Sequence, residues 1–351
     1  MRAHARWRLL IALAAVAVAP AALELGSQTA PARAAAHEIN GKIAFDVRRN
    51  CCDQEIFAMN ADGSDLVQLT ENESGDYSPD WSPDGTRMVY AHVPDDTGDD
   101  IDIWVMDADG NGQTQLTSDP IPDWQPVWSP DGMKIAFTRR EVPGEPADIF
   151  VMNADGSGRV NLTNSPGFED ANAAWSPDGT KIAFARDPGT DMNREICLMN
   201  ADGSGVVNLT NDPAYEDDPA WSPDGQKIAF TTTRTGDSEI FVMNPNGSGL
   251  VNLTNSPGIG DGMPDWSPNG AYIVFESTER GNYDIQLVRV ADHERTMLAG
   301  TPSYDGHYSW SPAGDQVAFI SSRDGYNAVY VTDLTGKPNR LTTTPSLDPR
   351  W

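Results

Sequence analysis

Seven tryptophans, at positions 81, 128, 175, 221, 266, 310 and 351, recur at intervals of 47, 47, 46, 45, 44 and 41 residues. Five of them open a Trp-Ser-Pro-(Asp/Asn)-Gly tract, Trp310 opens Trp-Ser-Pro-Ala-Gly, and Trp351 ends the chain where the next would begin. A repeat of this length is one supersecondary unit that buries its apolar faces only against neighbouring copies, so the chain must fold as a stack or ring of equal parts. Each turn is followed by a β-type run such as Lys134-Ile-Ala-Phe, with further copies beginning at residues 87, 181, 227, 272 and 316 and a seventh at Lys42. A second apolar run follows, as in Asp148-Ile-Phe-Val-Met, then an Asn-Ala-Asp-Gly type of turn and a short tract such as Val160-Asn-Leu-Thr.

Both turns have a mechanical basis. Proline fixes φ at the second turn position, and glycine accepts the positive φ that reverses the chain between antiparallel strands. Four short strands per unit at this period predict β-propeller blades. The chain starts on the second strand of one unit and ends with Asp348-Pro-Arg-Trp351, the first strand of a unit. The expected fold is therefore all-β, a seven-bladed propeller closed by pairing of the C-terminal strand with the N-terminal blade. Six blades is the alternative if one of the drifting units, 266–309 or 310–351, is not a blade.

Residues 1–36 carry Arg2, Arg6 and Arg8, an apolar segment from Leu9 to Leu23 and small-residue sites at 32–36, the pattern of a secretory signal peptide. The domain plan is thus a signal peptide over 1–36 and a propeller over 37–351, with no membrane span after processing and a secreted or periplasmic location. The 24 basic and 52 acidic residues give a net charge of −28, which disfavours nucleic acid and anionic membranes as partners. Cys51 and Cys52 are adjacent and Cys197 lies in an apolar run, so cysteine pairing does not hold this fold together.

The repeated WSPDGxKIAF…DIFVMNADGSG…NLT pattern resembles the TolB-type propeller repeat, found in the periplasmic protein TolB, in propeller domains of some peptidases and in oligogalacturonate lyases. The resemblance spans residues 40 to 351 and implies the propeller fold, while the repeat hosts binding and catalytic proteins alike. It implies a propeller alone, without the α/β domain that precedes it in TolB.

Candidate site residues cluster on the face where loops enter the first strand of each unit. Five residues before the repeat tryptophan stand Asp76, Asp123, Asp170, Asp261 and Asp305, with Glu216 and Asp217 in the remaining unit. Converging carboxylates are hard oxygen donors suited to calcium, the candidate cofactor. The alternative is that each carboxylate pins its own loop, as a residue repeated in nearly every unit suggests. Beside them Trp124, Phe168, Tyr215, Tyr304 and His307 offer rings for a protein segment or a cell-surface glycan. Those same rings could instead plug gaps between units. The acidic tract 95–102 reads as solvated surface. Asp107-Ala-Asp-Gly-Asn-Gly imitates a calcium loop but has Ser118 at the twelfth position, and the Asn-Leu-Thr tracts at 161, 208 and 252 read as strand residues.

The histidines at 37, 92, 293 and 307 are too scattered for the metal centre of the oligogalacturonate lyases, and no catalytic residue is assigned. The sequence therefore points to an exported, monomeric, non-catalytic binding scaffold. A calcium-dependent hydrolase or lyase, phytase-like or polyuronate lyase-like, is the alternative on the same acidic loops.

Overall fold

The computed structural model describes residues 42–48, 54–94, 100–141, 145–189, 193–325 and 327–342. They form 27 β-strands, and among them no helix is long and apolar enough to cross a membrane. The signal segment, the Cys51–Cys52 pair, residues 95–99 of the acidic tract and the expected closing strand at 348–351 lie outside the described residues.

The strands follow the repeat. In one unit Asp123–Trp128, Lys134–Arg139, Asp148–Asn153 and Val160–Asn161 pair antiparallel in chain order. Four-stranded sheets of the same plan start from inner strands Glu169–Trp175, Glu216–Trp221, Asp261–Trp266 and Asp305–Trp310. The unit whose inner strand is Gly75–Trp81 joins, through one parallel bridge from Gln54 to Gly75, a three-stranded unit of Lys42–Arg48, Gln54–Asn60 and Val67–Gln68. Hence the described residues contain seven units in chain order, and the inner edge of Lys42–Arg48 carries no paired strand among them.

Apolar side chains on both faces of the middle strands explain why the units stack. Ala136, Ile149 and Val151 of the third unit pack on Ile182, Phe184, Cys197 and Met199 of the fourth. Equivalent clusters join each unit to the next, and Ile43, Phe45 and Met59 of the first pack on Ala318, Val329, Val331 and Leu341 of the seventh. The buried repeat tryptophan adds a polar stitch. Trp128, Trp221, Trp266 and Trp310 each donate Nε1–H to a carbonyl on the inner strand of the preceding unit, at 3.1–3.2 Å.

The Ser-Pro-Asp-Gly turn behaves as its residues predict. Gly132 has φ of 68° and donates to the Ser129 carbonyl at 2.8 Å, while Ser129 Oγ donates to Asp131 and accepts from Lys134 N–H. A Cβ on Gly132 would stand 3.4 Å from Pro83 of the preceding unit, so turns stack as well as strands. At this same end of the units, Lys134, Lys181 and Lys227 reach Asn153, Asn200 and Asn244 of the neighbouring hairpin turn. The Asp107 tract is likewise a hairpin turn, closed by Gly110 N–H to Asp107 carbonyl and Asp107 N–H to Asn111 carbonyl.

The Leu-Thr tract of the outer strand is a latch. Thr254 Oγ accepts from Ile240 N–H at 3.0 Å and donates to the buried Glu239, which also accepts Ser256 N–H at 2.7 Å. Thr70, Thr117, Thr163 and Thr210 do the same for Glu55, Asp102, Asp148 and Glu195. The neighbouring asparagines are engaged too: Asn161 donates to Asp148, and Asn208 and Asn252 accept backbone N–H groups two and three residues on. Cys197 is buried, and burial pushes its thiol up to about 12, as befits a small hydrophobe. Replacing Thr254 with Val is expected to cost about 1–3 kcal/mol, because Glu239 loses a donor that solvent cannot replace. Urea denaturation checks this, with an unchanged slope and a lower midpoint.

Candidate functional site

Antiparallel pairing of the inner and second strands determines what the acidic ring does. Asp76 faces His92, Asp123 faces Arg139 and Asp170 faces Arg186 across the ladder, each partner 16 residues after its carboxylate. The contacts are 2.6 Å for His92 Nδ1 to Asp76, 2.9 Å for Arg139 to Asp123 and 2.7 Å for Arg186 to Asp170. Arg323 holds Asp305 at 2.9 Å, Arg234 holds Glu216, and Arg295 reaches Asp261 at 3.1 Å from the outer strand of its own unit. All six carboxylates are fully buried.

Asp76, Asp123, Asp170, Asp261 and Asp305 are thus dispersed, each in a different unit and each on its own His or Arg partner. Asp217 stands apart, bound by Arg194 at 2.7 Å. Among the described residues no three His, Cys, Asp or Glu side chains converge as a metal cage would require. The geometry is that of carboxylates holding loops, with buried pairs whose rupture costs more than their formation gains.

Next to each buried carboxylate the repeat breaks down. The following position holds Tyr77, Trp124, Ala171, Asp217, Gly262 and Gly306 in successive units. One residue further on, Ser78, Gln125, Asn172, Asp218, Met263 and His307 all adopt φ of 50–56° at a bulge in the inner strand. Bulges re-aim side chains, and non-glycine residues in this region are held there by surrounding contacts. Two of those contacts run sideways between inner strands, and two come from second strands. Gln125 donates to Asn172 at 2.8 Å, Asn172 donates to Asp217 at 2.7 Å, Thr231 donates to Asp218 at 3.2 Å, and His307 N–H donates to Glu276 at 3.1 Å.

On units three to five this belt carries an arginine-aromatic cluster. Arg140 lies 5.6 Å from the Trp124 ring and Arg194 lies 5.7 Å from the Tyr215 ring. Tyr215 donates its hydroxyl to Asp217 at 2.6 Å, and Glu169 stands between the two guanidiniums. Burial opposes the charge of Arg194, but Asp217 outweighs it and holds the guanidinium protonated. Burial and then Asp217 raise the neighbouring Asp218 to about 8.

The remaining predicted rings lie elsewhere. Phe168 covers Arg186 at 5.3 Å, which makes it packing for an ion pair. Tyr304 meets the exposed Tyr283 edge-on at 6.2 Å and His307 at 5.8 Å, and burial lowers the His307 pKa so that the ring is neutral. The structure therefore brings Trp124, Tyr215 and Asp217 together, sets Phe168 beside Glu169 but on Arg186, and leaves Tyr304 and His307 on unit seven.

Arg140, Glu169 and Arg194 were not singled out from sequence as site residues, although a signal existed. Where unit three has Arg140, other units have Val93, Asp187, Thr233, Thr278 and Ser322; where unit four has Arg194, others have Ile101, Ala147, Ser238 and Tyr283. Departures from a repeat mark what its architecture does not need.

The raised carboxyl gives a pH prediction. A carboxyl that holds its proton more tightly when folded adds stability below its unfolded pKa and loses it as pH rises through the folded value. Between pH 5 and pH 8.5 the melting midpoint is expected to fall, by about 2–4 °C for each kcal/mol of linkage, and to fall less in Asp218→Asn. Scanning calorimetry across that range checks the slope.

Comparison with known proteins agrees with the geometry. Residues 86–260 match the family model of the TolB β-propeller domain. A 45-residue stretch is 42% identical to dipeptidyl-peptidase 5 of Porphyromonas gingivalis, covering 13% of this chain and 7% of that one, so the chain matches a small part of that relative's length. TolB from Acinetobacter baumannii superposes with a TM-score of 0.58 at 20% identity, over 91% of this chain and 86% of that one. Oligogalacturonate lyase from Vibrio parahaemolyticus gives 0.68 at 16% identity, over 84% and 86%. At such identities these two structures speak to fold, which the strand order and the family match establish together: the chain is a TolB-like β-propeller repeat protein.

Proposed function

We propose that this protein is an exported, non-catalytic binding scaffold that recognises a protein segment on the face where loops enter the inner strands, centred on units three to five. One observation carries the proposal. The side chains that depart from the repeat there, Trp124, Arg140, Arg194 and Tyr215, gather in one arc, whereas the repeated carboxylates beside them are engaged by architecture. Trp, Tyr and Arg are also the residue types that dominate binding hot spots, because they combine large contact area with directional donors. Export follows from the charged, apolar and small-residue pattern of residues 1–36.

The test is binding of the purified protein to an immobilised library of envelope-protein peptides. Trp124→Ala is expected to weaken peptide binding by about tenfold or more, the scale of a hot-spot aromatic. Tyr283→Ala, which trims an exposed ring of unit six, is expected to leave binding unchanged. Retention on a glycan array but not on peptides would replace the ligand class. Calcium-stimulated turnover of a polyuronate or phytate by the wild-type protein would replace the scaffold with the hydrolase or lyase alternative.

A further inference from the structure

We propose that Arg140 and Arg194 form a clamp for one carboxylate of an acidic peptide, and that Glu169 of the chain itself takes the ligand's place in this structure. The proposal rests on the scaffold reading above and gives its ligand a chemistry. Two guanidiniums from neighbouring units converge on one carboxylate, and each is held by an aromatic ring, Trp124 under Arg140 and Tyr215 under Arg194.

Glu169 fits this clamp loosely. Its oxygens are 3.4 Å from Arg140 and 3.9 Å from Arg194, whereas charge-assisted hydrogen bonds run to about 2.7–2.9 Å. The architectural pairs nearby meet that standard, with Arg194 to Asp217 at 2.7 Å and Arg139 to Asp123 at 2.9 Å. Asp217 takes only the NH1 end of Arg194, and the buried Nε has no hydrogen-bond partner. The Nε–NH2 edge, which carboxylates grip with two parallel bonds, therefore has only the long NH2 contact to Glu169.

Charge counting supports exchange of one carboxylate for another. Two arginines face Glu169 and Asp217, and the proton that Asp218 retains keeps it from adding a third negative charge at neutral pH. With Glu169 turned out to solvent, the two guanidiniums that converged on it face the incoming carboxylate instead. Glu169 is already partly solvated, its side chain being 23% exposed, so turning outward costs little hydration. The net charge of −28 opposes approach of any anion, but screening confines that field to about 8 Å at physiological ionic strength. At contact the two guanidiniums decide.

The test uses fluorescein-labelled tetraglutamate in free-acid and C-terminally amidated forms, with tetralysine as the opposite-charge control, read by anisotropy on the full exported chain. Arg194→Gln and Arg140→Gln are expected to weaken tetraglutamate binding by about tenfold or more, and Glu169→Gln to tighten it severalfold by removing the internal competitor. The gain in Glu169→Gln cannot arise from misfolding, which keeps the proposal testable if an arginine variant is unstable. Arg140→Lys, which keeps the charge and loses the fork, is expected to weaken binding as well. Binding of the free acid alone would assign the clamp to a chain terminus, and binding of both forms would assign it to a Glu or Asp side chain. Unchanged or weaker binding in Glu169→Gln, or equal binding of tetralysine, overturns the clamp. If library peptides bind through Trp124 while tetraglutamate does not, the clamp fails and the scaffold stands.

Discussion

A blade of this protein is apolar on both faces of its middle strands, so it has no stable isolated state, and every other feature depends on that mutual burial. Four short strands cannot hide Phe184 and Ile182 from water on one side and Ala183 and Leu198 on the other unless a neighbour covers each face. The tryptophan at the end of the inner strand fits this demand. Its ring fills the seam, and its indole N–H ties to the preceding inner strand, so apolar burial also specifies relative position. Stacking of Pro83 under Gly132 repeats the arrangement at the turn.

Burial on both faces leaves polar side chains only at the strand ends, and there the chain uses them twice. At the outer edge a threonine latches the acid that opens the third strand. At the inner edge a cation holds the acid that opens the first. Both devices repeat because each completes itself within one unit. The arginine-aromatic arc is different in kind: Arg140 belongs to unit three, Glu169 and Arg194 to unit four, and Tyr215 and Asp217 to unit five. No single unit contains it.

This division explains what could be read in advance. The propeller was legible because recurring tryptophans set a period of 41–47 residues and the Pro-Gly turns within it leave room for short strands only. The carboxylates at 76, 123, 170, 261 and 305 were legible as a set, and so was the possibility that they pin their loops. Their cations were harder to see, since Arg139 and Arg186 become partners only through antiparallel register, and Arg295 sits 34 residues from Asp261 on another strand. Tyr215 and Trp124 were recognisable as variable rings, yet nothing local links them, because their association is made by arginines on neighbouring units. Phe168 looked the same in sequence and turned out to cover Arg186.

Basic residues are also sorted by type across the molecule. All five lysines of the chain, at 42, 134, 181, 227 and 337, belong to the end of the units that carries the hairpin turns, where three of them bind turn asparagines. The cations that hold carboxylates near the opposite mouth are arginines. Lysine-directed chemistry therefore has a built-in orientation. Coupling through side-chain amines to a bead or sensor surface anchors the ring by its back, and the variable arc faces outward to whatever flows past.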